Sequence, residues 1–128
     1  MQSKPINPNS IHPPFGYYSH GELIAQPSRL LLTSGQLGIH SDGTVPDSCY
    51  EQTLLCFQAI NAILSEADMT ASNIVRLNAF VTRREDFAAY MQARDEFVVA
   101  PPPASTLLIV SGFTRPEFKV EVECTAVA

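Results

Sequence analysis

The chain has 128 residues, 45% hydrophobic and 16% charged, with Lys+Arg 8 against Asp+Glu 13 and a net charge of −5. That length suits one domain able to bury roughly two-thirds of the surface its unfolded chain exposes, and the apolar content excludes a disordered chain. No apolar run approaches the roughly 18 residues of a membrane span, and net acidity without a Lys or Arg cluster argues against nucleic acid, whose phosphates attract cations.

Residues 1–18 are proline-rich and read as an arm or loop, because each proline lacks a donor and restricts the residue before it. They contain no apolar core of a secretory signal, so the expected compartment is the cytoplasm. Two apolar runs, 22–26 and 29–33, flank Pro27-Ser28 and predict a hairpin, followed by a turn at Asp42-Gly43. Ser48 and Glu51 have the spacing of a capping box. Behind them Cys49, Cys56, Phe57, Ile60, Ile63 and Leu64 recur at the helical period, which predicts a helix ending near Ala67.

Residues 74–81 alternate as a strand with one fully apolar face, Val75, Leu77, Ala79 and Val81. A second helix is expected from a Thr82/Glu85 capping box to about Val98, with Phe87, Tyr90, Met91, Phe97 and the stem of Arg94 on its core side. Ala100-Pro101-Pro102-Pro103 stops it, and strands at 106–110 and 118–127 close the chain. The order β-β-α-β-α-β-β predicts an α+β fold, a single domain over 1–128 whose mixed sheet carries both helices on one face. Several strands are apolar on both faces, and self-association is the natural cover for the second.

Three cysteines in a chain this size fit buried thiols in a reducing compartment. Cys49 and Cys56 would lie about 10 Å apart along one helix, too far to bridge, while a pairing of either with Cys124 stays open. His12, His20 and His40 stand apart and no metal-ligand spacing occurs, so no structural metal is expected.

Several blocks together resemble one family. They are Gly16-Tyr17-Tyr18-Ser19-His20, Leu32-Thr33-Ser34-Gly35-Gln36-Leu37-Gly38, Glu51-Gln52-Thr53, Pro103-Ala104-Ser105-Thr106 and the run from Val120 to Ala126. In order and spacing they are similar to the RidA (YjgF-type) family over essentially the whole chain. The resemblance implies a chorismate-mutase-like fold, a homotrimer and a small-molecule ligand in clefts between subunits. In the best-known subgroup such clefts hydrolyse 2-enamino and 2-imino acids to 2-keto acids and ammonia without a cofactor.

Carried over residue by residue, the resemblance makes Glu121 the carboxylate that positions the attacking water. It makes Tyr18 and the segment Ser34-Gly35-Gln36 ligand contacts. Ser105 and Thr106 are, by their own hydroxyls, candidate neutral donors to a ligand or plain strand residues. The deaminase signature Pro-Ala-Arg-Ser aligns with Pro102-Pro103-Ala104-Ser105, so Ala104 stands where an arginine would clamp the substrate carboxylate. A methyl group cannot replace that bidentate donor, which argues against deamination of amino-acid-derived imines. Three functions fit these residues. The first is a hydrolase of an imine, enamine or related small metabolite, and the second a non-catalytic small-molecule sensor or protein-binding trimer. The third is a 2-iminobutanoate/2-iminopropanoate deaminase in which Arg94 or Arg115 replaces the missing arginine.

Overall fold

The structure is a computed structural model that describes residues 2–128. Its elements run β1 (Gln2–Ile6), β2 (Gly21–Ala25), β3 (Leu30–Leu32), β4 (Gln36–Leu37), α1 (Cys49–Glu66), β5 (Ile74–Val81), α2 (Phe87–Phe97), β6 (Ala104–Ile109) and β7 (Val120–Val127). Single 3-10 turns at Ala71–Asn73 and Arg84–Asp86 lead into β5 and α2. The main sheet has the order β3-β7-β5-β6, with β4 also paired to β7. Within this sheet β5 and β6 are parallel, joined by α2, and the other strand pairs are antiparallel. The α+β class, the mixed sheet and the two helices agree with the sequence reading.

Strand alternation sorts the side chains. Leu77, Ala79 and Val81 of β5 and Val120, Val122, Cys124 and Ala126 of β7 are buried in the core with Cys56, Phe57, Ile60 and Leu64 of α1 and Tyr90 of α2. Register places Asn78 beside Glu123 and Phe80 beside Glu121 on the other face. Among the described residues no helix covers that second face, and Leu30, Leu32 and Leu108 near its edges are 63%, 68% and 51% exposed.

The first helix begins as expected, with the Ser48 hydroxyl accepting from the Glu51 amide at 3.0 Å. Its buried stripe also holds two polar residues that periodicity passed over, Gln52 and Thr53. The Thr53 hydroxyl donates to the Cys49 carbonyl at 2.7 Å, and Gln52 ties three distant segments together. Its Nε2 donates to the carbonyls of Pro46 at 2.8 Å and Glu117 at 2.9 Å, while its Oε1 accepts from the Lys119 amide at 2.8 Å. Gly38 lies directly on this helix. A Cβ there would stand 2.4 Å from Gln52 Cβ and 2.5 Å from Gln52 Cα.

Four local expectations are corrected. The proline-rich arm begins with a strand: β1 pairs with β2, Pro5 opposite Glu22. An outer strand with one partner tolerates a residue that cannot donate. The expected 22–26/29–33 hairpin does not form, because β2 is taken by β1 and β3 lies along β7, Leu31 opposite Ala126. Gln26 turns the chain out of the ribbon at φ 52°, and the amides of Ser28 and Arg29 both donate to the Ala128 carbonyl, at 2.9 and 3.0 Å. The Thr82/Glu85 box is absent. Instead Arg83 grips the buried carboxylate of Asp86 through Nη2–Oδ1 at 2.9 Å and Nε–Oδ2 at 3.2 Å, and α2 starts one residue later. Finally, Arg94 buries more than its stem: its whole side chain is only 5% exposed.

Cys49, Cys56 and Cys124 are free and buried, which closes the pairing left open by the sequence. Burial pushes the Cys56 thiol up to about 12 and raises those of Cys49 and Cys124. All three are held as thiols, which makes them core groups rather than nucleophiles.

Candidate functional site

The arm that carries Tyr18 is fastened to the start of β6. The Ser19 amide donates to the Pro103 carbonyl at 3.0 Å, and the Ser19 hydroxyl to the Pro102 carbonyl at 2.7 Å. Ser19 itself is buried and forms a parallel bridge with Ala104. Tyr18 turns its hydroxyl back on the arm, where it accepts from the Phe15 amide at 3.1 Å. The consequence is a cavity of about 370 Å³ lined by Phe15, Gly16, Tyr18, Phe87, Met91, Arg94, Ser105 and Leu107. Tyr18 and Ser105, which are far apart in the chain, thus share one wall.

Ala104 and Ser105 point to opposite sides of the sheet. Ser105 pairs with Leu77 and Ala104 with Arg76, so Ser105 faces the helices while Ala104 lines a separate cavity with His20, Glu22, Ile24, Val75, Arg76 and Thr125. Of these two residues, Ser105 is the one that lines the Tyr18 cavity. A cation is present all the same: the guanidinium of Arg94 enters from α2 and carries its Nη2 to within 3.5 Å of where a Cβ on Gly16 would lie. Arg94 follows Tyr90 by one helical turn, which was the signal available in the sequence. Arg115 lies elsewhere, about half-exposed, with its guanidinium over the Phe118 ring and beside Glu117.

The remaining residues form a second group. Between β3 and β4 the edge beside β7 is interrupted at Ser34-Gly35, and there the Glu121 side chain lies against Gly35. A Cβ on Gly35 would stand 2.3 Å from Glu121 Oε1, so the absence of a side chain gives that carboxylate its place. Gln36 pairs with Val122 and donates its Nε2 to the Ser34 carbonyl at 3.1 Å. Thr106 shares the register of Asn78 and Glu123 on the uncovered face, where its hydroxyl accepts from Arg76 Nη2 at 2.9 Å. Thr106 is thus outside the Tyr18 cavity. His20 braces the arm, its Nε2 lying 2.7 Å from the His12 carbonyl.

One chain therefore holds these residues in two separate groups. Tyr18, Ser105 and Arg94 lie on the helix side by β6, whereas Glu121 and Gly35 belong to the uncovered side by β4 and β7. Among the described residues no group of three or more His, Cys, Asp or Glu side chains could hold a metal ion, and no helix is long and apolar enough to cross a membrane.

Residues 9–128 match the family model described as Endoribonuclease L-PSP. Similar proteins include the RutC family protein YjgH of Escherichia coli, 33% identical over 95 residues that cover 73% of this chain and 72% of that protein. Another is the mitochondrial protein mmf2 of Schizosaccharomyces pombe, 30% identical over 99 residues that cover 76% of this chain and 79% of the relative. The crystal structure of YyfB, a Rid-family protein from Yersinia pestis, covers 100% of both chains with a TM-score of 0.87 at 27% identity.

Proposed function

Because this chain belongs to the endoribonuclease L-PSP family, also called YjgF or RidA, we propose that it binds a small metabolite between two copies of itself and hydrolyses an imine or enamine there. The observation that carries this reading is the division of the site, with Tyr18 and Ser105 on one side of the sheet and Glu121 over Gly35 on the other. A second copy laid on the uncovered face brings unlike halves together, and in a homotrimer it does so three times. Exposed Leu30, Leu32 and Leu108 favour the association, since fully burying such a side chain contributes about 1.5–3 kcal/mol. The net charge of −5 does not favour the nuclease named in the family description. The three free thiols fit a reducing compartment such as the cytoplasm.

In the proposed reaction the Glu121 carboxylate accepts a hydrogen bond from a water and takes its proton as the oxygen attacks the imine carbon. That proton passes to nitrogen to give an amino alcohol, and the new hydroxyl gives up its proton to the same nitrogen as the C–N bond breaks, so ammonia leaves behind a carbonyl product. Tyr18, Ser105 and the backbone at Ser34-Gly35-Gln36 position the ligand. No metal or organic cofactor enters these steps.

The test generates a 2-imino acid in situ with an amino-acid oxidase and follows ammonia release. Glu121→Gln and Tyr18→Ala are each expected to lower turnover about 100-fold, as loss of a positioned base or contact does. Oligomers assembled from an equal mixture of the two variants should regain about a quarter of parental turnover, because some interfaces then pair two native halves. Intact mixed oligomers with no recovery would refute the shared cleft. A parent without turnover would refute hydrolysis and leave the non-catalytic ligand binder.

A further inference from the structure

We propose that the groove between α1 and α2 is a second ligand site, for a primary ammonium ion carried on an aromatic or aliphatic tail. It shares no lining residue with the Tyr18 cavity and does not rest on the reaction above. Its volume is about 520 Å³, within the range of small-molecule sites. Helical spacing aims both walls into it, with Leu54, Gln58 and Asn61 on α1 and Ala93, Glu96 and Phe97 on α2. The floor is apolar, since Phe57 and Phe97 stack across the two helices with ring centres 4.5 Å apart and planes at 20°. The one ionisable side chain among the described lining residues is the carboxylate of Glu96, accompanied by the side-chain amides of Gln58 and Asn61.

Glu96 selects the charge. Among the described residues no Lys, Arg or His forms an ion pair with it. Its protein partner is Tyr50, whose hydroxyl lies 2.7 Å from Oε2 and 3.0 Å from Oε1. One phenolic proton serves both oxygens, and this hydrogen bond raises the Tyr50 pKa, so the proton stays in place. An ionised carboxylate has about four acceptor sites, and most of those on Glu96 remain open to a ligand. A guanidinium would want both oxygens along the edge that Tyr50 already holds. An ammonium is a compact charge with three donors, which suit one lone pair of Glu96 and the amide oxygens of Gln58 and Asn61. A quaternary ammonium is recognised by a cage of aromatic faces, whereas these two rings lie against each other. An anion would meet both Glu96 and the net charge of −5.

The chain contains no tryptophan, so the indole fluorescence of tryptamine reports its binding without a background from the protein. Tryptophol, with a hydroxyl in place of the ammonium group, is the neutral comparison. Titration should give tryptamine an affinity about 5-fold above that of tryptophol, the worth of a well-formed exposed ion pair, and added salt should narrow the difference. Glu96→Gln keeps an acceptor for Tyr50 but removes the charge, so the two ligands should then bind equally. Asn61→Asp adds a second carboxylate to the rim and should tighten tryptamine about 3-fold while leaving tryptophol unchanged. Both positions are exposed, so both variants should fold as the parent does. N,N,N-Trimethyltryptammonium, which has the charge but no ammonium donor, should bind more weakly than tryptamine. Equal affinities of tryptamine and tryptophol in the parent, no binding of either, or a preference that survives Glu96→Gln would overturn the proposal. So would tryptamine affinity unchanged in Asn61→Asp, or tighter binding of the quaternary ion.

Discussion

Gln52→Leu is expected to lower the unfolding free energy by about 3–6 kcal/mol, a large share of the 5–15 kcal/mol typical of a domain. The cause is not lost apolar contact, since leucine fills a similar volume. It is the stranding of three backbone groups inside the protein, the carbonyls of Pro46 and Glu117 and the amide of Lys119, each of which has its partner on this one side chain. A buried polar group left unmatched costs about 1–3 kcal/mol. Denaturant titration checks this through a lower midpoint at an unchanged slope. Gln58→Leu on the exposed side of the same helix serves as the control and should stay within about 0.5 kcal/mol of the parent. A loss below about 1 kcal/mol in Gln52→Leu would mean that the three segments satisfy themselves without it.

Gly38→Ala is expected to cost about 3 kcal/mol, the upper end for overpacking, and to lower the melting temperature by roughly 10–15 °C. The new methyl would lie 2.4 Å from Gln52 Cβ, 2.5 Å from its Cα and 2.6 Å from its carbonyl oxygen. Two of these three are helix backbone, so the clash cannot be relieved by turning a side chain and α1 itself must move. Scanning calorimetry measures the shift, and Gly112→Ala, with nothing within 4 Å of its Cβ, should leave the melting curve unchanged. Because the displaced residue is Gln52, the double variant should lose less than the sum of the single losses. A Gly38→Ala protein melting within about 2 °C of the parent would show that helix and loop are not in close contact.

Elements defined by long periodic patterns were legible in the sequence, and those defined by partner choice were not. The stripe from Cys49 to Leu64 and the alternation from Ile74 to Val81 each repeat often enough to fix their type. Which strand β2 joins is not written in β2. It depends on a ribbon partner within a proline-rich segment and on the Ala128 carbonyl capturing Ser28 and Arg29. Gln52 was overlooked because a polar residue on an apolar stripe reads as a solvent-facing exception until its partners, up to 67 positions away, are known.

The candidate site divides in the same way. Tyr18, Ser34-Gly35-Gln36, Ser105, Thr106 and Glu121 were all recognisable in chain order, but their grouping depends on the face each strand position takes. A one-residue difference in register moves a side chain through the sheet, so the adjacent Ala104 and Ser105 line different cavities. Arg94 was assigned only a buried stem because a cation on the core side of a helix usually extends to solvent. Here the fastened arm of Tyr18 roofs it over.

If the proposed shared cleft holds, with Tyr18 and Glu121 on opposite surfaces of one sheet, an isolated chain would be silent in the proposed reaction. Output then rises faster than in proportion to the amount of protein while copies are still scarce, and becomes proportional once every copy has found its neighbours. Abundance itself would act as the dial, with no effector needed to switch the reaction on.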